Sequence, residues 1–406
     1  MRIALIDVNC KYSSTGKIVY DLYSQIRKGG NDAMVCYGRG EKIDEPNIYK
    51  IGVDLETYMH VALSRVTGFF GIFSPISTKR ALQKLKEFKP DIVHLHELHG
   101  YYINYAEIVE YLKRNNIKTV WTFHCEFMYT GKCGQAFDCD KFKKECQNCP
   151  YLKEYPKSLF FDWTKTMFNQ KIKLFKDFDN LVITTPSKWL YNRVGSSFLS
   201  SKKRVIVRNG IDNSNTFVPR NFDKLKERYN IKNKKVVLAV APNLMSKQKG
   251  GEYILEVAKE LKEKDIIFIM VGIDDLNYNF DSNIVALGRT KDQKELSMLY
   301  TMADLFIICS RYENFPTTAI EALSCGTNVV GFDSGGAKET APENYGKFVE
   351  FGDVKALSKT IDDIFNSKIE LKSPKECIEY AKENYSKEVM INNYMGLYTN
   401  WNIIQL

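Results

Sequence analysis

The stretch Ser310-Arg311-Tyr312-Glu313-Asn314-Phe315-Pro316-Thr317-Thr318-Ala319-Ile320-Glu321 sets two carboxylates eight positions apart on either side of a proline. The apolar run just before it reads as a buried strand, and a proline at this point fits the first turn of a helix. The backbone N–H groups of Thr317 and Thr318 would then lack intrahelical acceptors and lie at the positive end of the helix dipole, an arrangement that suits a diphosphate. Glu321, more than a turn into the helix, can accept bonds from two neighbouring ribose hydroxyls. Glu313 precedes the helix and faces whatever lies beyond the phosphates. A Glu-Glu spacing of this kind also arises by chance; the strand, proline and helix around it make it a site.

Further candidates lie at other strand ends. Lys249-Gly250-Gly251 offers an ammonium and two permissive glycines before a helix, with Lys247 a near equivalent. Ser13-Ser14-Thr15-Gly16-Lys17 places small residues, Thr15 and Gly16 among them, where backbone can approach phosphate or sugar, without the glycine spacing of a P-loop. Alternation along a strand points His94 and His96 the same way, and with His99 they read as structural or acceptor-lining rather than as metal ligands. Cys133, Cys139, Cys146 and Cys149 form C-x5-C-x6-C-x2-C. Four thiolates in so short a loop have the economy of a closed, structural tetrahedral zinc site; disulfides or unliganded thiols are the alternatives. Asp138-Cys139-Asp140 falls inside that loop and reads as coincidence rather than as a metal-nucleotide motif.

The elements that must carry these groups are short apolar runs alternating with helical periods. Arg2–Val8, Ala33–Tyr37, Asp91–Leu95, Thr119–Phe123, Leu181–Thr184 and Arg204–Val207 read as buried parallel strands, and Val236–Val240, Ile266–Val271, Ile284–Leu287, Leu305–Cys309 and Asn328–Phe332 repeat the pattern. Helices are expected over Glu252–Lys264 and Gln293–Met302. Two doubly wound, Rossmann-like α/β domains follow, over 1–203 and 204–383, the first with a Cys-rich insertion at about 125–150. Turn chemistry at Asn209-Gly210-Ile211-Asp212 marks the boundary region. Over 384–406, Ser386 reads as an N-cap, and Val389, Met390, Asn393, Tyr394, Leu397, Tyr398 and Trp401 share one helix face, which a return onto the first domain would bury.

A chain of 406 residues with 44% hydrophobic content is long enough for two cores and reads as a globular enzyme. The start turns polar too soon for a secretory segment, so a cytoplasmic location is expected, with thiols or thiolate ligands rather than disulfides. The net charge of +9 is uneven: residues 1–195 hold about 29 Lys and Arg against about 21 Asp and Glu. A basic first half could meet anionic headgroups at the inner membrane surface or a phosphorylated acceptor; a merely soluble basic surface explains it equally.

Taken with His94-Leu95-His96-Glu97-Leu98-His99-Gly100-Tyr101-Tyr102, Thr185-Pro186-Ser187-Lys188-Trp189-Leu190, Asn209-Gly210-Ile211-Asp212 and Gly335-Gly336-Ala337-Lys338-Glu339, the chain resembles, over almost its whole length, the retaining glycosyltransferases of family four with the GT-B fold. The similarity is strongest to those that build bacterial surface polysaccharides such as colanic acid, O-antigen and capsule. Glu313 and Glu321 match the family's Glu-x7-Glu. The resemblance implies a nucleotide-diphosphate sugar, UDP favoured over GDP, held by the second domain, a lipid-linked or oligosaccharide acceptor held by the first, and chemistry between them without a divalent metal. Carried over, Glu321 holds the ribose, Glu313 contacts the transferred sugar and Lys249 neutralises the leaving diphosphate, within a donor set of Thr15, Gly16, Lys247, Arg311, Asn314, Phe315, Pro316, Thr317 and Thr318. His124 takes the place of a catalytic His, with His96, His99 and Glu126 toward the acceptor. Two positions depart from the pattern. Cys125 follows His124 where the family has Asp, leaving Glu126 as a substitute, and Asn243 stands where an Arg often pairs with the lysine, a charge that Lys247 or Arg311 could supply. A nucleotide-sugar epimerase or non-catalytic binder on the same fold, and a zinc-ribbon nucleic-acid-binding protein, are the competing readings. The last leaves Glu313, Glu321 and the twin α/β pattern unexplained, and no nucleic-acid partner is expected.

Overall fold

The computed structural model describes residues 1–229, 231, 233–290 and 292–401. The chain divides into two compact units, Met1–Val207 with Ile391–Leu406, and Arg208–Met390.

The first unit is built on seven strands, β1 (Arg2–Asp7), β2 (Asp32–Tyr37), β3 (Ile48–Lys50), β4 (Ile92–Leu95), β5 (Lys118–Thr122), β6 (Leu181–Thr185) and β7 (Lys203–Ile206), ordered β3-β2-β1-β4-β5-β6-β7 and all parallel. Its helices are α1 (Ser14–Lys28), α2 (Asp54–Thr67), α3 (Pro75–Phe88), α4 (Tyr105–Arg114), α5 (Thr164–Phe175) and α6 (Lys188–Gly195). The sheet order reverses direction between β1 and β4, so the loops after those strands diverge and leave a crevice at their carboxyl ends.

The second unit has six parallel strands, β8 (Lys235–Val240), β9 (Ile266–Val271), β10 (Ile284–Leu287), β11 (Leu305–Ile308), β12 (Asn328–Asp333) and β13 (Gly346–Glu350), ordered β10-β9-β8-β11-β12-β13. With them come α7 (Asp223–Arg228), α8 (Gly251–Glu260), α9 (Gln293–Met302), α10 (Thr317–Ser324), α11 (Val354–Phe365) and α12 (Pro374–Tyr385). Successive side chains of a strand serve opposite faces. Leu238, Phe306 and Val329 join one core, while Val237, Ile307 and Val330 join the other. Helices cover both faces, which is why these strands read as continuous apolar runs rather than as alternating ones. Here the reversal falls between β8 and β11.

The last helix, α13 (Lys387–Thr399), starts in the second unit, and from Ile391 onward its residues belong to the first. Within that unit the Tyr394 hydroxyl lies 2.9 Å from Thr122 Oγ1 and that of Tyr398 lies 2.6 Å from His94 Nδ1. The buried face is Met390, Ile391, Tyr394, Leu397, Tyr398 and Trp401. Asn393, expected on it, is exposed, and Ile391 takes its place. Among the described residues no helix is long and apolar enough to cross a membrane.

Candidate active site

In the second unit the loops after β8, β11 and β12 are stitched together by backbone. Arg311 N donates to Gln248 O at 2.9 Å, Gly336 N to Glu313 O at 2.7 Å, and the Ser334 hydroxyl to Ser310 O at 2.7 Å. Two glycines make this approach close. A Cβ on Gly250 (φ 69°) would stand 2.1 Å from Cys309 O, and one on Gly335 (φ 64°) would stand 2.1 Å from Glu313 O. No other residue takes up both the left-handed backbone and the contact.

That stitching brings Lys249 Nζ to 2.5 Å from Glu313 Oε1, both side chains partly open to solvent. The sequence reading had placed them at separate strand ends; the structure joins them at the point where the sheet order reverses. Pro316 is the N-cap of α10, and Thr317 and Thr318 form its first turn without a side-chain cap. Glu321 lies in the second turn, where Oε2 accepts the hydroxyl of buried Tyr300 at 2.9 Å, which fixes its rotamer. Arg311 and Asn314 are half-buried beside these groups in sequence, Phe315 and Pro316 are buried, and Lys247 is exposed. A carboxylate aligned by tyrosine, an ammonium and an uncapped helix start thus share one strand-end region, a set suited to hydroxyl pairs and phosphate oxygens.

In the first unit the polar groups gather after β1, β4 and β5. Asp7 ends β1 fully buried; it accepts Glu97 N at 3.0 Å, the Thr15 hydroxyl at 3.0 Å and Asn9 N at 3.3 Å. Burial, and then the charge of Glu97, push its carboxyl up to about 7. The Thr15 hydroxyl therefore has an internal partner, as does Gly16 N–H, which donates to the N-cap oxygen of Ser13 at 3.2 Å. That turn is capped by its own side chains.

Glu97, His99 and Cys125 converge. Glu97 Oε2 and His99 Nε2 form an ion pair, Cys125 Sγ lies 3.0 Å from the same nitrogen, and Tyr155 Oη stands 3.4 Å from His99 Nδ1. Burial works against a charged His99, yet its contacts with Cys125 and Glu97 outweigh it and hold the imidazole well above its usual range; burial pushes the Cys125 thiol up, so Glu97 is the anion of the group. For Glu97, too, burial is outweighed by His99, and its carboxyl falls to about 2. His94, His96 and His124 behave oppositely. Burial, with neighbouring imidazoles, holds the first two well below the usual range, and burial likewise lowers His124. His96 Nδ1 and His124 Nε2 are 3.1 Å apart, and His96 Nε2 is buried with no partner among the described residues. His96, Glu97, His99, His124 and Cys125 line one small cavity at the carboxyl ends of β4 and β5.

Glu126 has internal partners. It is 1% exposed, and its oxygens accept the Tyr129 hydroxyl, Ala136 N and Arg193 Nε, each at 2.6 Å. Three short internal bonds brace this carboxylate in the wall of the unit. Glu97 is the carboxylate beside the thiol, and the sequence reading missed it although it is the second residue past β4, at the sheet reversal.

Cys133, Cys139, Cys146 and Cys149 all line one cavity of the insertion. Cys133 and Cys149 are hydrogen-bonded to each other, and Gly131 N donates to Cys146 Sγ at 3.2 Å. Two buried lysines border the loop: Lys132 Nζ donates to Glu154 O and Pro156 O, and Lys171 Nζ to Phe127 O and Thr130 O. Among the described residues, three potential metal-binding atoms come within 4.8 Å of one another only at Glu97, His99 and Cys125, so the loop thiols are gathered less tightly than a closed polyhedron.

Family models for "Glycosyltransferase Family 4" and "Glycosyl transferases group 1" match residues 15–215 and 221–384. The chain is 23% identical to the putative colanic acid biosynthesis glycosyl transferase WcaC of Escherichia coli K12, over 98% of this chain and 100% of that protein. It is 29% identical, over 42% of this chain and 46% of the other, to the N,N'-diacetylbacillosaminyl-diphospho-undecaprenol alpha-1,3-N-acetylgalactosaminyltransferase of Campylobacter jejuni. Among solved structures, Anabaena Alr3699/HepE in complex with UDP superposes with a TM-score of 0.69 at 14% identity, covering 98% of this chain and 100% of that one.

Proposed function

Because the chain is a glycosyltransferase of family 4 with the GT-B fold, acting in polysaccharide biosynthesis, we propose that it moves a hexose-type sugar from a UDP-linked donor to a lipid-linked saccharide acceptor. The transfer retains the anomeric configuration and builds a bacterial surface polysaccharide of capsule or O-antigen type. The reaction runs in the cytoplasm, at the inner face of the membrane.

The observation that carries this reading is the Lys249–Glu313 pair at the sheet reversal of the second unit, with Glu321 held by Tyr300 on the adjoining helix. In the proposal Glu321 binds the ribose, the first turn of α10 and Lys249 bind the diphosphate, and Glu313 turns from Lys249 to the transferred sugar. Lys247 or Arg311 adds the second positive charge. Stabilising the departing diphosphate is then the main catalytic term, and no divalent metal takes part. UDP is preferred because a neighbour of the same fold binds it, and the lipid-linked acceptor because a relative's name carries one. On the acceptor side His124 and His96, neutral, and His99, charged against Glu97 and in contact with Cys125, provide hydrogen-bond groups of fixed protonation. A structural zinc at Cys133, Cys139, Cys146 and Cys149 belongs to the same reading. It is supported by their common cavity and by the two buried lysines beside it, which donate to backbone carbonyls and have no ion-pair partner among the described residues; burial lowers the pKa of both, Lys171 to about 7, and four thiolates around Zn²⁺ would favour their charged forms.

Incubating the purified chain with a panel of UDP- and GDP-hexoses and a bacterial lipid extract tests the reading. Labelled sugar should pass from a UDP donor to the lipid fraction, and Lys249→Ala should lower kcat by about 10²–10³-fold while the fold persists. Isomerised donor without transfer would favour an epimerase, and undiminished turnover in Lys249→Ala would remove that residue's assigned role.

A further inference from the structure

Helix α2 is inside out. Its inner face is polar: Glu56 accepts Ile76 N at 2.7 Å and Ser77 N at 2.9 Å at the start of α3, His60 Nδ1 lies 2.6 Å from Ser74 Oγ, and His60 Nε2 accepts Gly71 N at 3.2 Å. Its outer face is apolar. Leu55, Tyr58, Met59, Leu63 and Val66 fall at helical spacing on the solvent side, Leu55 and Tyr58 being 70% and 72% exposed. An amphipathic helix of a globular protein normally buries that stripe; here hydrogen bonds hold the helix down and leave the stripe outward.

A second exposed apolar element adjoins its end. Leu159 N donates to Arg65 O at 2.8 Å, and the ring of Trp163 stacks on Phe69 at 5.3 Å, which sets Phe160 (69% exposed), Phe161 and Trp163 beside the last turn of α2. Single exposed apolar residues are ordinary, but a joined patch of this kind marks a surface that something covers. Around it Arg65, Lys79, Arg80 and Lys157 are exposed and have no ion-pair partner among the described residues.

We propose that this face of the first unit, α2 with the loop of Phe160, Phe161 and Trp163, docks on an anionic lipid bilayer, lying in the headgroup layer without crossing it. The aromatic rings and aliphatic stripe enter the acyl boundary, and the cations meet lipid phosphates. A second copy of the chain is the poorer occupant, because a two-fold contact through this patch would set the unpaired cations of one copy against the same cations of the other. The inference deepens the proposed function, since a lipid-linked acceptor would be presented at this surface.

Flotation of the full chain with vesicles tests it, while the thermal shift on adding UDP is read in parallel. The chain should float with vesicles of phosphatidylethanolamine and phosphatidylglycerol and much less with phosphatidylcholine alone. Combined Tyr58→Ser, Met59→Ser and Phe160→Ser should cut partitioning about tenfold or more, and Arg65→Gln, Lys79→Gln and Arg80→Gln should each cost up to about fivefold on anionic vesicles. Failure of the parent to float, or flotation unchanged by the serine substitutions, would overturn the inference. So would a parent dimer that those substitutions turn into monomer. A UDP shift that persists throughout keeps a failure here separate from failure of the transferase reading, which a missing shift would signal.

Discussion

Glu126→Gln separates a structural carboxylate from an acceptor-binding one. Glu126 accepts three bonds at 2.6 Å, from Tyr129, Ala136 and Arg193, and its side chain is 2% exposed against 15% for that of Arg193. The amide keeps the volume but loses the charge, and its NH₂ must face at least one group that is itself a donor. Arg193 then loses its 2.6 Å carboxylate and keeps only the longer contact of Nη1 with Asp140 Oδ1 at 3.9 Å, its half-buried guanidinium lying over Phe142 and Trp189. Removing one partner of a buried pair costs about 3–5 kcal/mol. In a unit of this size each kcal/mol lowers Tm by about 2–4 °C, so a fall on the order of 10 °C is expected. Differential scanning fluorimetry reads the shift, and transfer kinetics at a temperature where both proteins are folded read the function. The reasoning predicts a large Tm loss with little change in acceptor KM. A Tm within about 1 °C of the parent, together with a raised acceptor KM, would refute it and return Glu126 to the substrate.

Other perturbations address the remaining groups. Gly335→Ala places a Cβ 2.1 Å from Glu313 O at a φ of 64°, so a stability loss of about 1–3 kcal/mol and a fall in kcat/KM are expected from urea titration and kinetics; a silent variant would show that Glu313 needs no such anchoring. Metal analysis of protein purified under reducing conditions should find about one zinc per chain, and chelation should expose the 125–150 segment to proteolysis; a stoichiometry near zero with a protease-resistant loop refutes the zinc site. Asp7 has its pKa raised to about 7 from 3.8. Between those values the folded protein holds a proton that the unfolded chain has released, so the Asp7 contribution is complete below the unfolded pKa and is lost as pH rises through the folded one. Asp7→Asn, which cannot ionise, should therefore gain stability relative to the parent on going from about pH 5 to about pH 8, and parallel Tm–pH curves would contradict this.

The alternation of short apolar runs foretold eleven of the strands to within a residue or two; nine of these are buried along most of their length and write a nearly unbroken apolar signature, while the edge strands β7 and β10 were read from shorter runs. The two it missed, Ile48–Lys50 and Gly346–Glu350, are edge strands. Each is only partly buried, and residues such as Tyr49, Lys50, Lys347 and Glu350 leave no apolar run to see. The second unit's site was legible for a related reason: Pro316 and the Thr pair announce a helix start, and helix starts at strand ends follow from local rules. The first unit's site was not, because the pairing of Glu97 with Cys125 joins residues 28 apart through the β4–β5 register. Glu126 follows Cys125 directly in sequence, and its carboxylate accepts bonds from Tyr129, Ala136 and Arg193.

The Cys-rich insertion acquires a wider role from its own contacts. Cys149 N donates to Asp162 Oδ2 at 2.7 Å, and Asp162 also receives Thr164 N at 3.0 Å, which fixes the chain on both sides of Trp163. Lys132 Nζ donates to the carbonyls of Glu154 and Pro156, flanking Tyr155, whose hydroxyl stands 3.4 Å from His99. One loop therefore braces both the outward aromatic residues and the charged imidazole. Rigidity gained at the cysteines reaches each through a single hydrogen-bonded step, and loosening them should disturb lipid docking and the acceptor side together. A Cys149→Ser variant that lost vesicle binding but kept the parent's acceptor KM would show the two to be independent, and would confine the insertion to the surface it borders.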